Sequence, residues 1–309
     1  MGPSPAIRRL LPALAALLLA ATARAQGVGD PTTGAGDPNA GAYVFLATGG
    51  CGCHTERKHQ RRDLGGGRAI KTPFGTIYGP NITPDRQTGI GAWSEADFVR
   101  AMSEGIGPKG DDLYPVFPYP AFTRMTEADL GNLWSYLRTL EPVRRANKAP
   151  DLMAPFNVRQ GVKAWKLLHF TPGRYQPDRA RSPAWNRGAY LVTALAHCGE
   201  CHTPRDLSGG LRTDMAYAGS TDGPEGEAAP NITPDKETGI GEWDPEDIVY
   251  YLRAGRRPDG HAAEGLMDDL IENAYGKLKK EDLFAIVTYL RALPPIRHKV
   301  SKRDAGKTR

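Results

Sequence analysis

Residues 198–202 of this 309-residue chain read Cys198-Gly199-Glu200-Cys201-His202. Two cysteines three positions apart share one face of a helical turn, and the next side chain can turn toward the same ligand. That spacing allows two thiols to form thioethers at one edge of a porphyrin while the histidine binds its iron. Cys-x-x-Cys-His is the attachment sequence for c-type haem. The motif predicts a covalent haem held by Cys198 and Cys201, with His202 as an axial ligand.

The sequence around this motif is present twice. The pentapeptide Asn-Ile-Thr-Pro-Asp occupies residues 81–85 and again residues 231–235. In each copy a final stretch has apolar residues three and four apart, which is typical of an amphipathic helix, and Pro142 or Pro294 ends it. Strand signals are weak. We predict a mostly α fold built from two tandem units.

The first copy contains an irregular site, Cys51-Gly52-Cys53-His54, which is one residue short. The first cysteine lies eight positions after the upstream tyrosine in both copies, so the loss lies between the cysteines. Cysteines two apart on a helix point about 200° from one another, so both can bond one haem only if the turn is unwound.

Three outcomes are open at this first site. Haem is held by two strained thioethers, or by Cys53 alone beside His54, or it is absent and the cysteines form a small-ring disulfide or remain thiols. We predict a bound haem, with the number of thioethers open, because the rest of the unit is intact.

A low-spin electron-transfer haem generally needs a second axial ligand, and methionine raises its potential. In the second copy the candidate is Met267, ahead of Met215; it lies in the loop predicted between the short helix after Trp243 and the final helix. In the first copy we predict Met125, just before the final helix, rather than Met102, for which core filling is the simpler role. Without Met125 as a ligand, the first iron would be five-coordinate and able to bind small ligands.

Residues 1–25 have the features of a secretory signal. Arg8 and Arg9 precede an apolar run, which ends in Ala23-Arg24-Ala25. Removing this segment reduces the formal charge from +5 to +2, which leaves no charge argument for nucleic-acid binding. No later stretch approaches the ~20 apolar residues of a membrane span. We predict a periplasmic protein. The alternative is that residues 1–25 remain as an uncleaved N-terminal anchor, which would associate the protein with the membrane.

The repeat and the signal divide the chain into six segments. The predicted linker contains an amphipathic run through Val162, Trp165 and Leu168. The predicted segments are a signal peptide (1–25), a flexible N-terminal segment (26–39), the first copy (40–145), the linker (146–182), the second copy (183–295) and a basic tail (296–309).

Several segments of the sequence are characteristic: residues 81–91 with Trp93, 114–119, 185–190, 197–205 and 231–235. Through these segments the chain resembles the bacterial multihaem cytochrome c family that includes the cytochrome subunits of membrane-linked alcohol, gluconate and sorbitol dehydrogenases. The resemblance implies two tandem class I-like cytochrome c domains, haems with His and Met ligands, and electron transfer from a dehydrogenase toward a quinone or terminal oxidase. Many members have a methionine where this chain has Phe117, and others have one at the Met125 position. The chain departs from the family in the shortened first site, and it has two units where the dehydrogenase subunits often have three.

The leading hypothesis is therefore an electron carrier with two haem c groups, whose partners are redox proteins. No Ser/His/Asp set, phosphate loop or paired-carboxylate site stands out, so a carrier or a subunit of an oxidoreductase complex is favoured over a stand-alone enzyme. The alternative is a dihaem oxidoreductase that acts on thiosulfate or a peroxide-like substrate at the irregular first haem. Axial ligation discriminates between them, because six-coordinate iron at both sites leaves no position for substrate.

Overall fold

The computed structural model describes residues 36–56 and 63–301. The predicted signal peptide, most of the flexible N-terminal segment and most of the basic tail lie outside the described residues. The described residues all belong to one compact unit. The division into two tandem domains therefore remains an interpretation of the sequence repeat.

Helices dominate the described residues, as the sequence predicts. None of the described helices is long and apolar enough to cross a membrane. The first copy contains α1 (Pro38–Ala47), α2 (Glu95–Glu104), α3 (Tyr119–Phe122) and α4 (Glu127–Leu137); the linker contains α5 (Gln160–His169); the second copy contains α6 (Pro183–Tyr190), α7 (Gly199–His202), α8 (Pro245–Ala254), α9 (Gly265–Asn273) and α10 (Lys280–Leu290). Short 3-10 turns occupy Gly49–His54, Thr213–Met215, Pro224–Gly226 and Tyr275–Lys277, and a π-helical turn, Leu191–Leu195, follows α6.

A small antiparallel sheet accompanies the helices. Its strands are β1 (Ala69–Thr72), β2 (Gly75–Tyr78) and β3 (Asp151–Leu152), in the order β1-β2-β3. The register pairs Ile70 with Ile77 and Thr76 with Asp151. Strands of two to four residues are too short to show an alternating pattern, so the sequence did not predict them.

The two copies pack their first and last helices in the same way. α1 lies against α4, and α6 lies against α10. A Cβ atom at Gly41 would collide with the carbonyl of Asn132, and one at Gly188 would collide with the carbonyl of Ala285. Glycine at both positions therefore allows the two helix backbones to approach closely.

The repeated pentapeptide anchors the chain that follows each final helix. The Asn81 Nδ2 donates to the carbonyl of Val143 (2.6 Å), and the Asn231 Nδ2 donates to the carbonyl of Ile296 (2.7 Å). In each copy the asparagine Oδ1 accepts from the backbone N–H of the threonine two residues later. The repeat is thus explained by the same hydrogen-bond network built twice.

Helix α5 joins the linker to both copies. The Lys166 ammonium donates to the carbonyl of Gly105 (2.8 Å) and pairs with Asp112 (2.6 Å) in the first copy. The Trp165 Nε1 donates to the carbonyl of Ser208 (3.0 Å) in the second. Polar contacts therefore fix the linker helix to both copies.

Candidate haem-binding sites

The second-copy motif forms a single helical turn. The backbone N–H of His202 donates to the carbonyl of Cys198 (3.0 Å), and that of Thr203 donates to the carbonyl of Gly199 (3.1 Å). Both are i to i−4 bonds, so Cys198 and Cys201 lie on the same side of the turn. This is the arrangement that two thioethers to one porphyrin edge require.

The His202 imidazole is oriented by one backbone acceptor. Its Nδ1 lies 2.7 Å from the carbonyl oxygen of Pro230. A carbonyl can only accept, so Nδ1 carries the hydrogen and Nε2 keeps its lone pair. Desolvation lowers the pKa of His202, partly opposed by this hydrogen bond, and favours the neutral ring. A neutral imidazole whose other nitrogen is tied to a backbone carbonyl is a ready iron ligand.

His54 in the first copy has the same environment. Its Nδ1 lies 2.7 Å from the carbonyl oxygen of Pro80, and desolvation likewise lowers its pKa. Pro80 and Pro230 each stand directly before the repeated pentapeptide, 150 residues apart. The cysteine motifs do not point to these two prolines, although the repeat could have revealed them. The missing residue at the first site therefore leaves the histidine's position unchanged.

The backbone absorbs the deletion within the turn itself. The N–H of Thr55 donates to the carbonyl of Gly52 (3.2 Å), an i to i−3 bond where the second copy has an i to i−4 bond. Gly50 (φ 62°) and Cys51 (φ 50°) are left-handed. A left-handed cysteine costs roughly 1–3 kcal/mol. The turn is unwound, which is the condition for two thioethers from this spacing.

Burial keeps the second-copy thiols protonated. Desolvation raises the pKa of Cys198 to about 12 and that of Cys201 to about 12, with the Glu200 carboxylate adding to the effect on Cys201. A reactive redox pair or a thiolate metal ligand needs a lowered thiol pKa. The raised pKa values of these two thiols are therefore the opposite of what thiol–disulfide chemistry requires.

The two cysteine sites lie close enough to interact. A charge on Cys53 raises the pKa of Cys201, although desolvation has the largest effect. The buried Tyr275 lies near Cys198, Cys201 and Cys53, and desolvation with these sulfurs raises its pKa. Its hydroxyl donates to the carbonyl of Ala196 (3.1 Å). The attachment turns of the two copies therefore face a common region.

His197, the residue before the second motif, lies at the junction of the copies. Its backbone is left-handed (φ 40°). The ring packs edge-on against Phe122 of the first copy, with centroids 5.3 Å apart, and a backbone hydrogen bond links it to Thr48. It therefore joins the second attachment site to the first copy.

The four candidate methionines lie in different surroundings. Met267 lies on α9, half-buried against the core, where the sequence predicts a loop. Met125 is fully buried (0% exposed) directly before the N-cap of α4. The residue in the matching position before α10 is Leu278, also in the core (2% exposed). Met102 is buried on α2, and Met215 ends a 3-10 turn.

Comparison with known proteins places these features among cytochromes. The chain is 39% identical over 257 residues to a dihaem cytochrome c-type protein of Cereibacter sphaeroides, covering 82% of this chain and 84% of that protein. It is 38% identical over 268 residues to the fructose dehydrogenase cytochrome subunit of Gluconobacter japonicus, covering 86% of this chain and 53% of that subunit. The gluconate 2-dehydrogenase cytochrome c subunit of Pantoea cypripedii is 38% identical over 250 residues, covering 78% of this chain and 56% of that subunit.

The chain thus spans about half the length of these two dehydrogenase subunits. No family model matches the sequence.

Proposed function

This chain belongs to the c-type cytochromes that include the dihaem protein and the dehydrogenase subunits described above, and from that premise we propose that it is a periplasmic electron carrier with one haem c in each copy. The observation that carries the proposal is the matched pair of imidazoles. His54 and His202 each give Nδ1–H to a proline carbonyl at 2.7 Å and keep Nε2 available. The dihaem relative supports the number of two.

In the second copy, Cys198 and Cys201 are the covalent anchors, and His202 and Met267 are the axial ligands. Haem c supplies a one-electron ferrous–ferric couple when it is bound. The Pro230 carbonyl fixes the tautomer and orientation of His202. Met267 lies on the helix that precedes the final turn and core helix of this copy.

In the first copy, Cys51 and Cys53 are the anchors and His54 is the axial ligand, with Met125 as the proposed sixth ligand. The unwound turn supports attachment through both cysteines. Met125 is placed between α3 and α4, as Leu278 is placed before α10. The matched leucine supports a competing role for Met125 in core packing.

That matched leucine favours a second candidate function. If Met125 only fills the core, the first iron has an open position, which is what a dihaem oxidoreductase acting on thiosulfate or a peroxide-like substrate requires. The carrier is the better supported function, because the named relatives include cytochrome subunits of dehydrogenases.

We propose a dehydrogenase as the electron donor, and a quinone or terminal oxidase as the acceptor. The names of the fructose and gluconate dehydrogenase subunits support the donor. The signal-like residues 1–25 support the periplasm.

The experiment is an anaerobic potentiometric titration of the full chain matured with covalent haem. The reduced protein is then exposed to carbon monoxide and to hydrogen peroxide, and the oxidised protein is exposed to thiosulfate. A carrier titrates reversibly at two centres, forms no carbon monoxide complex and turns over neither substrate. Carbon monoxide binding at one haem together with turnover of either substrate would replace the carrier by the oxidoreductase.

A further inference from the structure

Arg68 is a buried cation beside the irregular attachment turn. Its side chain is almost fully enclosed (residue 4% exposed). The Nη1 donates to the carbonyl of Gly52 (3.2 Å), which lies between the two cysteines of the first site. The guanidinium is also close enough to Cys53 for their charges to interact.

The same guanidinium reaches two carboxylates of the second copy. The Nε donates to Glu225 (2.7 Å), and the Nη1 also donates to Asp269 on α9 (3.1 Å). Burying a guanidinium is costly unless its charge is paired, and these two acids supply the pairing. Removing the arginine would leave two carboxylates, partly shielded from water, without this cation.

The second attachment turn offers a comparison. The Arg205 Nη2 donates to the carbonyl of Glu200 (3.3 Å), which also lies between two cysteines, and it pairs with the Glu200 carboxylate (2.6 Å). Arg205 is more exposed, and these partners lie within its own copy. In both turns an arginine thus donates to the carbonyl of a residue that lies between the two cysteines. Arg68 also connects the two copies.

We propose that Arg68 is the positioning residue of the first haem: it holds the shortened Cys51–Cys53 turn in its unwound form and couples that haem to α9, the helix that carries Met267. The inference rests on the proposed function, because it requires a haem in the first copy. The hydrogen bond from Arg68 to Gly52 positions the attachment turn, and the hydrogen bond to Asp269 couples that turn to α9.

The sign of the electrostatic effect follows from the charges. A buried positive charge near an iron centre disfavours the more positive ferric state and so raises the reduction potential. Loss of Arg68 also leaves Glu225 and Asp269, whose negative charges favour the ferric state. The first haem should therefore become harder to reduce, and the second should shift less in the same direction.

The test compares Arg68→Met with Arg68→Lys in the full haem-loaded chain. Intact mass counts the haems, and spectroelectrochemistry gives each potential. We expect Arg68→Met to raise the ferric-to-ferrous ratio of the first haem about tenfold at a fixed applied potential, equivalent to ~59 mV for one electron. Arg68→Lys keeps the positive charge, so its first haem should have a potential close to that of the wild type. A purely structural role of the arginine would not explain that result. The control Arg205→Met should move the second haem and leave the first unchanged.

The outcomes separate this inference from the proposed function. Wild-type protein with a haem in the second copy alone would overturn both. Two haems with unchanged potentials in Arg68→Met would overturn the role of Arg68 and leave the carrier intact. If Arg68→Met fails to fold, the double variant Glu225→Gln/Asp269→Asn provides the test. It keeps the arginine and removes both negative charges, so the first haem should become easier to reduce. An unchanged potential there would also overturn the proposal.

Discussion

The phenol of Tyr43 donates a 2.6 Å hydrogen bond to the carboxylate of Asp282, so α1 of the first copy is tied to α10 of the second. The reverse contact is also present, since the Tyr190 phenol donates to Asp129 at 2.6 Å and ties α6 to α4. Reciprocal contacts of this kind are what a twofold axis produces between the subunits of a homodimer. The two repeat copies therefore make the same tyrosine–aspartate contact in both directions.

The two halves of this arrangement differ in one respect. Asp282 also accepts two hydrogen bonds from Arg187, at 2.8 and 2.6 Å. Although desolvation raises the pKa of Asp282, the bonds from Arg187 and Tyr43 hold it below the usual value of 3.8. A carboxyl with a lowered pKa stabilises the fold above its unfolded pKa, and this contribution is lost as the pH falls through its folded pKa.

Replacing Asp282 by Asn should therefore lower the free energy of unfolding at pH 7 by roughly 1–3 kcal/mol. The deficit should begin to shrink as the pH falls below 3.8, where the carboxyl of the unfolded chain takes up a proton, and should be lost below the lower folded pKa, where the folded wild-type carboxyl is also neutral. Urea unfolding at pH 7 and pH 3 measures both values. Asp129→Asn is the matched control, with a smaller expected loss because no arginine fork is broken. An equal deficit for Asp282→Asn at the two pH values would contradict the account.

The glycines between the paired helices give a second prediction. Gly41→Ala and Gly188→Ala should each destabilise the fold by about 1–3 kcal/mol, because the new Cβ overlaps a backbone carbonyl that cannot move alone. Gly161→Ala on α5 is the control, since nothing lies within 4 Å of its Cβ position, and it should be neutral or stabilising. Denaturant midpoints compare the three variants, and equal midpoints would show that the helix contact tolerates a methyl group.

The proposed sixth ligand of the first iron gives a third prediction. Met125→Leu installs the residue that the second copy has at Leu278, so the free energy of unfolding should change by less than about 1.5 kcal/mol. If Met125 binds iron, the variant should gain carbon monoxide binding at one haem. Met267→Leu should do the same at the other haem and serves as the positive control. Unchanged ligation in Met125→Leu would assign that methionine to the core.

Most helices and the turn at the second cysteine motif could be predicted from the sequence because their signals are local. The spacing of Cys198 and Cys201 predicted a helical turn, and the structure has one. Helix α9 was expected as a loop, since Gly265 opens it and no capping residue marks its start. The linker helix was predicted with Leu168 on its apolar face, but that side chain is largely exposed (residue 77%) and Val162 is the buried residue.

Contacts between the copies could not be predicted in the same way. Arg68 meets Glu225 and Asp269 across separations of 157 and 201 residues, and no pattern of spacing encodes such a contact. The Tyr43–Asp282 hydrogen bond could not be predicted for a similar reason. Each of the two residues belongs to a helix that its own periodicity predicts, and that periodicity does not indicate a partner in the other copy. The repeat predicts which elements occur twice, while their packing depends on tertiary contacts.

The most direct test of the central claim is the intact mass of the exported protein, produced with a cytochrome c maturation system, together with a pyridine haemochrome spectrum of the same sample. The account predicts two covalent haems, and the spectrum will report whether the Cys51–Cys53 site forms one thioether or two. A mass with a single haem, attached at Cys198 and Cys201, would contradict it.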